Sequence, residues 1–288
     1  MIRSMTAFAR QQARDPAGEL TWEIRSVNHR YLEVVVRLPE ELRAIEPAVR
    51  ERVNARLGRG KVECALRYRP GPEAVGEIRV NEALVDQLLK ASQQLLRRMH
   101  SSSLPTVIDI MRWPGVLEAE ERDFTPVQQA ALELLDAALD DLVATREREG
   151  ARLAELLRQR VVALREQVER ARRRMPQVLA AVRERLRARI QEVAGQLDPE
   201  RLEQEIALQA QRLDVDEEMD RLATHLDEVE RVLEADEPVG RRLDFLMQEL
   251  NREANTLGSK SADSETSAIS VEMKVLIEQM REQVQNIE

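Results

Sequence analysis

Apolar positions in the first 70 residues fall in short runs, then step by three and four, then return to runs. Residues 21–25, with Thr21, Trp22 and Ile24, and residues 31–38, with Tyr31, Val34, Val35 and Val36, are rich in β-branched and aromatic side chains, as strands are. Pro39 ends the second run. Leu42, Ile45, Val49, Val53 and Leu57 then recur at three or four and predict a helix over 40–57. Pro47 either kinks that helix or marks its true start. Gly58-Arg59-Gly60 stops it, and 61–68 reads as a strand. The β-β-α-β order predicts an α+β domain. Asn81 is placed to cap a helix running to about Met99. Residues 100–124, with Ser101-Ser102-Ser103, Pro105 and Trp113-Pro114-Gly115, predict an irregular connection holding one short helix.

From Thr125 on, helical periodicity takes over. Leu157, Val161, Leu164, Val168, Ala171, Met175, Val178 and Val182 step by four and three, a coiled-coil-like seam. Pro176 inside it should bend or break the helix. Such a seam packs on a second subunit or, equally, within a helical hairpin of one chain. A helix is predicted over about 199–235, with Met219, Leu222, Leu226, Val229 and Leu233 on its apolar stripe. A turn follows at 236–240. A second helix points Leu243, Leu246, Leu250, Ala254 and Leu257 inward. A polar stretch at 258–267 precedes a closing helix marked by Ile269, Met273, Leu276, Met280, Val284 and Ile287. The expected organisation is an N-terminal α+β domain (1–124), a long Arg-rich helical region (125–199) and an acidic helical hairpin domain (200–288).

Composition sharpens this picture at four points. Apolar runs reach only four or five residues, against about 20 for a spanning helix. The first ten residues lack the apolar segment of a secretory signal. Both point to a cytoplasmic protein without membrane contact. The single cysteine, Cys64, excludes an intrachain disulfide framework and a cysteine-based zinc site. Seven aromatics are too few for a sheet that stacks bases. Only four of the 44 basic residues are lysine. That is either genomic bias toward Arg codons or selection for forks that grip phosphates.

The net charge of −9 hides a gradient. Residues 1–70 carry 14 basic and 9 acidic side chains, residues 71–199 carry 20 and 21, and residues 200–288 carry 10 and 23. Within 146–189, 14 arginines face 6 glutamates. Basic regions beside an acidic one suit a phosphate grip plus a metal site, although helical charge runs are commonly solvated faces.

Candidate chemistry concentrates on the acidic hairpin. Asp214, Glu218, Arg221, His225 and Glu228 are spaced 4, 3, 4 and 3 and share one face. Glu249 and Glu253 lie one position before Leu250 and Ala254 on the next helix. In an antiparallel pair, equal rotational offsets fall on the same side. His225 lies twelve residues before Glu237 in the turn and Glu249 twelve after it, so they sit at similar height. Glu218, His225, Glu228, Glu249 and Glu253 are thus candidates for one groove. An imidazole with several carboxylates suits Mn²⁺ or Mg²⁺ better than structural zinc. Alternatively, Arg221 and Arg252 neutralise these acids as surface pairs. In the first section, Arg25-Ser26-Val27-Asn28-His29-Arg30-Tyr31 concentrates hydrogen-bonding side chains between two strands. Arg59-Gly60-Lys61 could approach phosphates at a turn but is not a P-loop, since Val62 stands where Ser or Thr is required. His29 is a candidate general acid or base. His100 carries no signal, and no Ser-His-Asp arrangement is visible.

Four segments together resemble the YicC/YloC family. They are Met1-Ile2-Arg3-Ser4-Met5-Thr6, Ser26-Val27-Asn28-His29-Arg30-Tyr31-Leu32-Glu33, Arg59-Gly60-Lys61-Val62, and Asp244-Phe245-Leu246-Met247-Gln248-Glu249-Leu250-Asn251-Arg252-Glu253-Ala254-Asn255-Thr256-Leu257-Gly258-Ser259-Lys260. One departure is Ala7-Phe8-Ala9, where the family often has a glycine. The resemblance implies a metal-dependent endoribonuclease, cytoplasmic and hexameric, with a role in small-RNA turnover. Within it, Glu218, His225, Glu249 and Glu253 are expected to hold the metal, with Asp214 or Glu228 as extra candidates. Glu249, Glu253 and His225 are the expected catalytic set. Arg3, Arg25, Asn28, Arg30, Arg59 and Lys61 are expected to hold RNA phosphates. Asn251, Arg252, Asn255 and Lys260 are expected to orient RNA near the metal.

Two alternatives stay open. Attack by the RNA 2′-OH, with His29 or His225 as acid or base, leaves a 2′,3′-cyclic phosphate, whereas metal-assisted water attack leaves a 5′-phosphate. A non-catalytic RNA adaptor or helical scaffold would cleave nothing.

Overall fold

The computed structural model describes residues 2–71, 79–99, 106–118, 123–193, 203–204, 206–208, 211 and 213–288. Strands β1 (Ala7–Asp15), β2 (Gly18–Val27), β3 (Leu32–Arg37) and β4 (Gly60–Pro70) form one sheet in the order β1-β2-β4-β3. The β1–β2 and β2–β4 pairs are antiparallel and the β3–β4 pair is parallel. Parallel neighbours need a crossover. It is made by a 3₁₀ turn (Glu40–Ile45) and helix α1 (Glu46–Arg56). Pro47 lies in the first turn of α1, where its missing N–H costs nothing. Of the two roles open to Pro47, it marks the helix start.

Strand β1 has no counterpart among the sequence expectations. Most of its side chains are solvent-facing and only Ala9 is buried, so it carries almost no apolar alternation to read. Leu20, Trp22, Ile24, Val62, Cys64 and Leu66 alternate onto one face of the sheet and are buried with Leu42, Val49 and Val53. Trp22 Nε1 donates to the Ala131 carbonyl at 2.8 Å, which fixes the sheet to the next helix. Cys64 sits inside this core, where burial pushes its thiol up to about 12.

Helix α2 (Glu82–Met99) and α3 (Val107–Met111) are bracketed by a small antiparallel ribbon of β5 (Arg79–Val80) and β6 (Leu117–Glu118). The Asn81 side chain accepts from the Leu84 amide at 2.9 Å, as its capping role predicts. Thr106 and Asp109 cap α3 reciprocally. None of the side chains described for α2 is buried, although Leu84, Val85, Leu88, Leu89, Leu95 and Leu96 make it strongly one-sided. The expectations for His100, Ser101, Ser102, Ser103 and Pro105 lie outside the described residues.

Helix α4 (Thr125–Val193) has 69 residues, about 104 Å at 1.5 Å per residue. Its first part, including Ala131, Leu135, Leu139 and Leu142, completes the sheet core. Its later part, including Leu157, Val161, Leu164 and Val168, joins a second core with α5 (Asp216–Leu233), α6 (Gly240–Ser259) and α7 (Ser264–Val284). The seam therefore packs within the chain. Pro176 does not break the helix. Met175 and Val178 on either side of it are buried, and this packing offsets the lost backbone bond. The helix expected over 199–235 is interrupted, because 213–215 are not helical and the Asp214 carboxylate accepts from the Asp216 amide at 3.0 Å. Residues 199–202 lie outside the described residues.

A clasp joins the two cores. Ser4 bridges Ile287, Met5 N donates to Asn286 O at 2.7 Å, and Glu288 N donates to Arg3 O at 2.9 Å. Arg146 of α4 is fully buried beneath this clasp. It donates to Ser4 O at 2.6 Å, to Arg59 O at 3.2 Å and to Glu288 Oε2 at 3.1 Å. Burial draws its pKa down and Glu288 opposes this. Gly150 and Gly240 allow the close approach, since a Cβ at either would overlap the carbonyl oxygen of Ile2 or Ile287. Among the described residues no helix is long and apolar enough to cross a membrane.

Candidate active site

Helices α5 and α6 are joined by a short turn at 234–239. Their apolar stripes face the second core, with Leu222, Leu226 and Val229 from one helix and Leu243, Leu246 and Leu250 from the other. Residues one position before each stripe then line the same flank of the pair. His225, Glu249 and Glu253 meet there, each offering a donor atom within 4.8 Å of the others. His225 and Glu249 are half-buried and Glu253 is buried. This is the registration that equal spacing from the turn predicts.

The remaining acidic candidates are held elsewhere by cations. Glu218 Oε1 accepts from Lys260 Nζ at 2.9 Å, and the same ammonium donates to the Asp214 carbonyl at 2.8 Å. Glu218 is buried, and its Oε2 has no hydrogen-bond partner among the described residues. Glu228 is gripped by Arg231 at 2.8 Å and by Arg242 at 2.5 Å. The Arg231 hydrogen bond leads in holding its carboxyl below the usual range. Asp214 precedes α5, and its carboxylate accepts from the Asp216 amide at 3.0 Å. Neither Glu218, Glu228 nor Asp214 joins the trio of His225, Glu249 and Glu253.

Both arginines read as neutralisers are nearby. Arg221 Nη1 lies 3.5 Å from Glu253 Oε1, while its main partner is Glu217 at 2.5 Å. Arg252 Nη1 is 4.0 Å from Glu249. These pairs are loose and leave carboxylate oxygens free for another charge.

The residues expected to orient RNA fall into two places. Lys260 is committed to Glu218. Asn251, Arg252 and Asn255 line an open groove with Met247, Gln248 and Arg281. Asn251 and Asn255 lie two and six positions after Glu249, about 200° and 240° around α6. They occupy the flank toward α7 and bond each other at 2.7 Å. The structure therefore does not bring them together with the trio.

The basic set of the first core is also divided. Arg3 is tied to Glu147 at 2.7 Å. Lys61 pairs with Glu33 at 3.0 Å, and His29 Nε2 stands 3.6 Å from the same carboxylate. Arg25 lies over the Phe8 ring at 5.5 Å, and Arg30 lies over Tyr31 at 5.2 Å. Arg59 Nε donates to the His29 carbonyl at 3.1 Å. Asn28 is exposed in the β2–β3 loop. Sequence reasoning did not assign site roles to Tyr31 and Arg241. Their signal is spatial, since the α5–α6 turn brings Arg241 beside the β2–β3 loop.

Fold and site together define an α+β protein whose helical hairpin carries a mixed imidazole–carboxylate centre. Comparison with known proteins places that class more narrowly. The family model for the N-terminal region of YicC-like endoribonucleases matches residues 2–155, and the model for their C-terminal part matches residues 171–288. The chain is 46% identical to a "Probable endoribonuclease YicC" of Haemophilus influenzae over 288 residues, all of both chains. It is 31% identical to a protein of the same name from Clostridioides difficile, again over the whole of both. The chain belongs to the YicC-like family.

Proposed function

We propose that this protein is a divalent-metal-dependent endoribonuclease. The observation that carries the reading is the convergence of His225, Glu249 and Glu253 from two helices. One imidazole and two carboxylates, with free oxygens facing only loosely held arginines, fit Mn²⁺ or Mg²⁺. When bound, such an ion supplies charge stabilisation at a phosphodiester and makes a nearby water more acidic. Glu249 and Glu253 hold the cation from one helix and His225 from the other. Arg221, exposed beside Glu253, takes a phosphate oxygen and orients the strand. With seven aromatics, RNA binding is mainly electrostatic and weakens steeply with salt.

The same reading extends to biology. The protein acts in the cytoplasm in small-RNA turnover, as a homo-oligomer, a hexamer by family resemblance. The partly exposed apolar row of α2, with Leu89 and Leu95 open to solvent, supports contact between copies.

The test is cleavage of a labelled RNA with Mn²⁺, with Mg²⁺ and with EDTA, beside a folded His225→Ala/Glu249→Gln variant. Cleavage that needs metal and disappears in the variant, leaving 5′-phosphate ends, is the expected result. Cleavage surviving EDTA with cyclic phosphate ends would move the chemistry to a 2′-OH mechanism. RNA binding without cleavage under any metal would make the protein an adaptor.

A further inference from the structure

A cleft opens where the first core meets the hairpin turn. The β2–β3 loop contributes Arg30 and Tyr31, the turn before β4 contributes Gly58 and Arg59, and the start of α6 contributes Arg241. Many of the described arginines pair with carboxylates, as Arg165, Arg172, Arg174 and Arg242 illustrate. Arg30, Arg59 and Arg241 do not. No carboxylate among the described residues pairs with Arg30, Arg59 or Arg241: Arg30 lies over the Tyr31 ring and Arg59 Nε donates to a carbonyl. The carboxylate at the cleft wall, Glu288, is already bound to Arg146. Three arginines without a carboxylate partner among the described residues therefore line one concave surface. Tyr31 stands among them, 59% exposed. Arg30 and Arg241 are exposed and Arg59 is half-buried, so water and mobile anions reach this surface.

Guanidiniums around an aromatic ring that is capped on one face by Arg30 and otherwise exposed are the elements of a single-strand nucleotide subsite. A base stacks on the ring, and the phosphates on either side meet the forks. We propose that this cleft binds one nucleotide of single-stranded RNA, stacked on Tyr31, with flanking phosphates held by Arg30, Arg59 and Arg241. This rests on the RNA reading above and assigns Tyr31 and Arg241 roles of their own. Arg241 precedes Glu249 by eight residues, about 12 Å along α6. The subsite thus anchors a strand at one end of the hairpin and leads it along α6 toward the trio. Because its walls come from both cores, it exists only when they are clasped.

The experiment is fluorescence anisotropy of a short labelled oligouridylate on the full chain in EDTA, over a salt series. The variants are Tyr31→Leu, Tyr31→Phe, Arg241→Ala and, on an exposed face of α4, Arg173→Ala. Tyr31 and Arg241 are exposed, and matched thermal melts check that their variants fold. Tyr31→Leu should weaken binding about tenfold, on the scale of one lost base stack, and Tyr31→Phe should restore it. Arg241→Ala should reduce the slope of log K against log salt by about 0.7, one phosphate contact on a single strand. Arg173→Ala should leave that slope unchanged. If wild type binds while Tyr31→Leu and Arg241→Ala match it in affinity and slope, the subsite is wrong and the RNA reading stands. An equal loss in Arg173→Ala also overturns the subsite, since general surface charge would then account for binding. If wild type binds no RNA, both readings fall together.

Discussion

Glu253 is buried with Arg221 as its nearest cationic neighbour, at 3.5 Å. That guanidinium is itself half-exposed and bonded to Glu217. Arg221 therefore competes with a cation for Glu253 but competes weakly, because its guanidinium is half-exposed and shared with Glu217. Arg221→Ala should bind Mn²⁺ more tightly, by no more than about fivefold in isothermal titration calorimetry, while cleaving RNA more slowly. Tighter metal binding with lower activity would separate its counter-charge role from its phosphate role. A second residue-scale case is Asp263, which caps α7. Burial works to raise its carboxyl pKa, but hydrogen bonds from Thr266 and Arg174 override this, and the net shift is downward. A carboxylate with a depressed folded-state pKa adds stability above its unfolded value and loses it as pH falls through the folded one. Asp263→Ala should cost about 1 kcal/mol near neutral pH. The difference from wild type should fade below the ordinary Asp value of about 3.9, as read from denaturant melts at several pH values.

Among elements, α2 and α4 carry opposite lessons. Helix α4 keeps its course through Pro176 because each neighbouring apolar residue has a wall to meet. Helix α2 has an equally one-sided pattern, yet none of its described side chains is fully buried. Leu95 on it is 56% exposed. Leu95→Glu should leave the thermal unfolding of the two cores unchanged and lower the mass of the assembly in light scattering. An unchanged mass would remove α2 from the subunit contact. Periodicity made most helices readable from the sequence, and the 4-3 spacing with the position of the turn was enough to place His225 opposite Glu249. Strand β1 escaped because an edge strand with one buried alanine has no hydrophobic alternation. The break at 213–215 escaped because an Asx turn depends on one side-chain bond rather than on a periodic pattern. Glu218 and Glu228 share the helix face of His225, yet spacing alone does not reveal that Lys260, Arg231 and Arg242 reach them first. Asn251 and Asn255 were placed with the trio by their neighbourhood in sequence, whereas two residues on a helix is more than half a turn.

At the scale of the whole molecule, both cores meet over Arg146. It is a charge with no exposed surface, held by two carbonyls and one carboxylate, while its Nη1 has no hydrogen-bond partner among the described residues. Removing it leaves Glu288 and those carbonyls without their partner, a change that costs about 3 to 5 kcal/mol when a buried pair is broken. Arg146→Met should therefore lower stability by a few kcal/mol and speed hydrogen exchange at the Met5 and Glu288 amides well before the sheet core opens. Equal exchange in the two proteins would show that the clasp is held by backbone pairing alone.

The clasp also has a meaning in time. Ser4 and Ile287 are partners across 283 positions, so a ribosome delivers them far apart in the life of the nascent chain. The sheet core draws on no residue beyond 143 and can assemble while the hairpin is still being translated. Residues 2–5, however, must wait beside it with their hydrogen bonds unmade until 286–288 emerge. Closure of the clasp is thus a late step of assembly, and until it occurs the backbone groups of residues 3–5 that pair with 286–288 stay open to solvent.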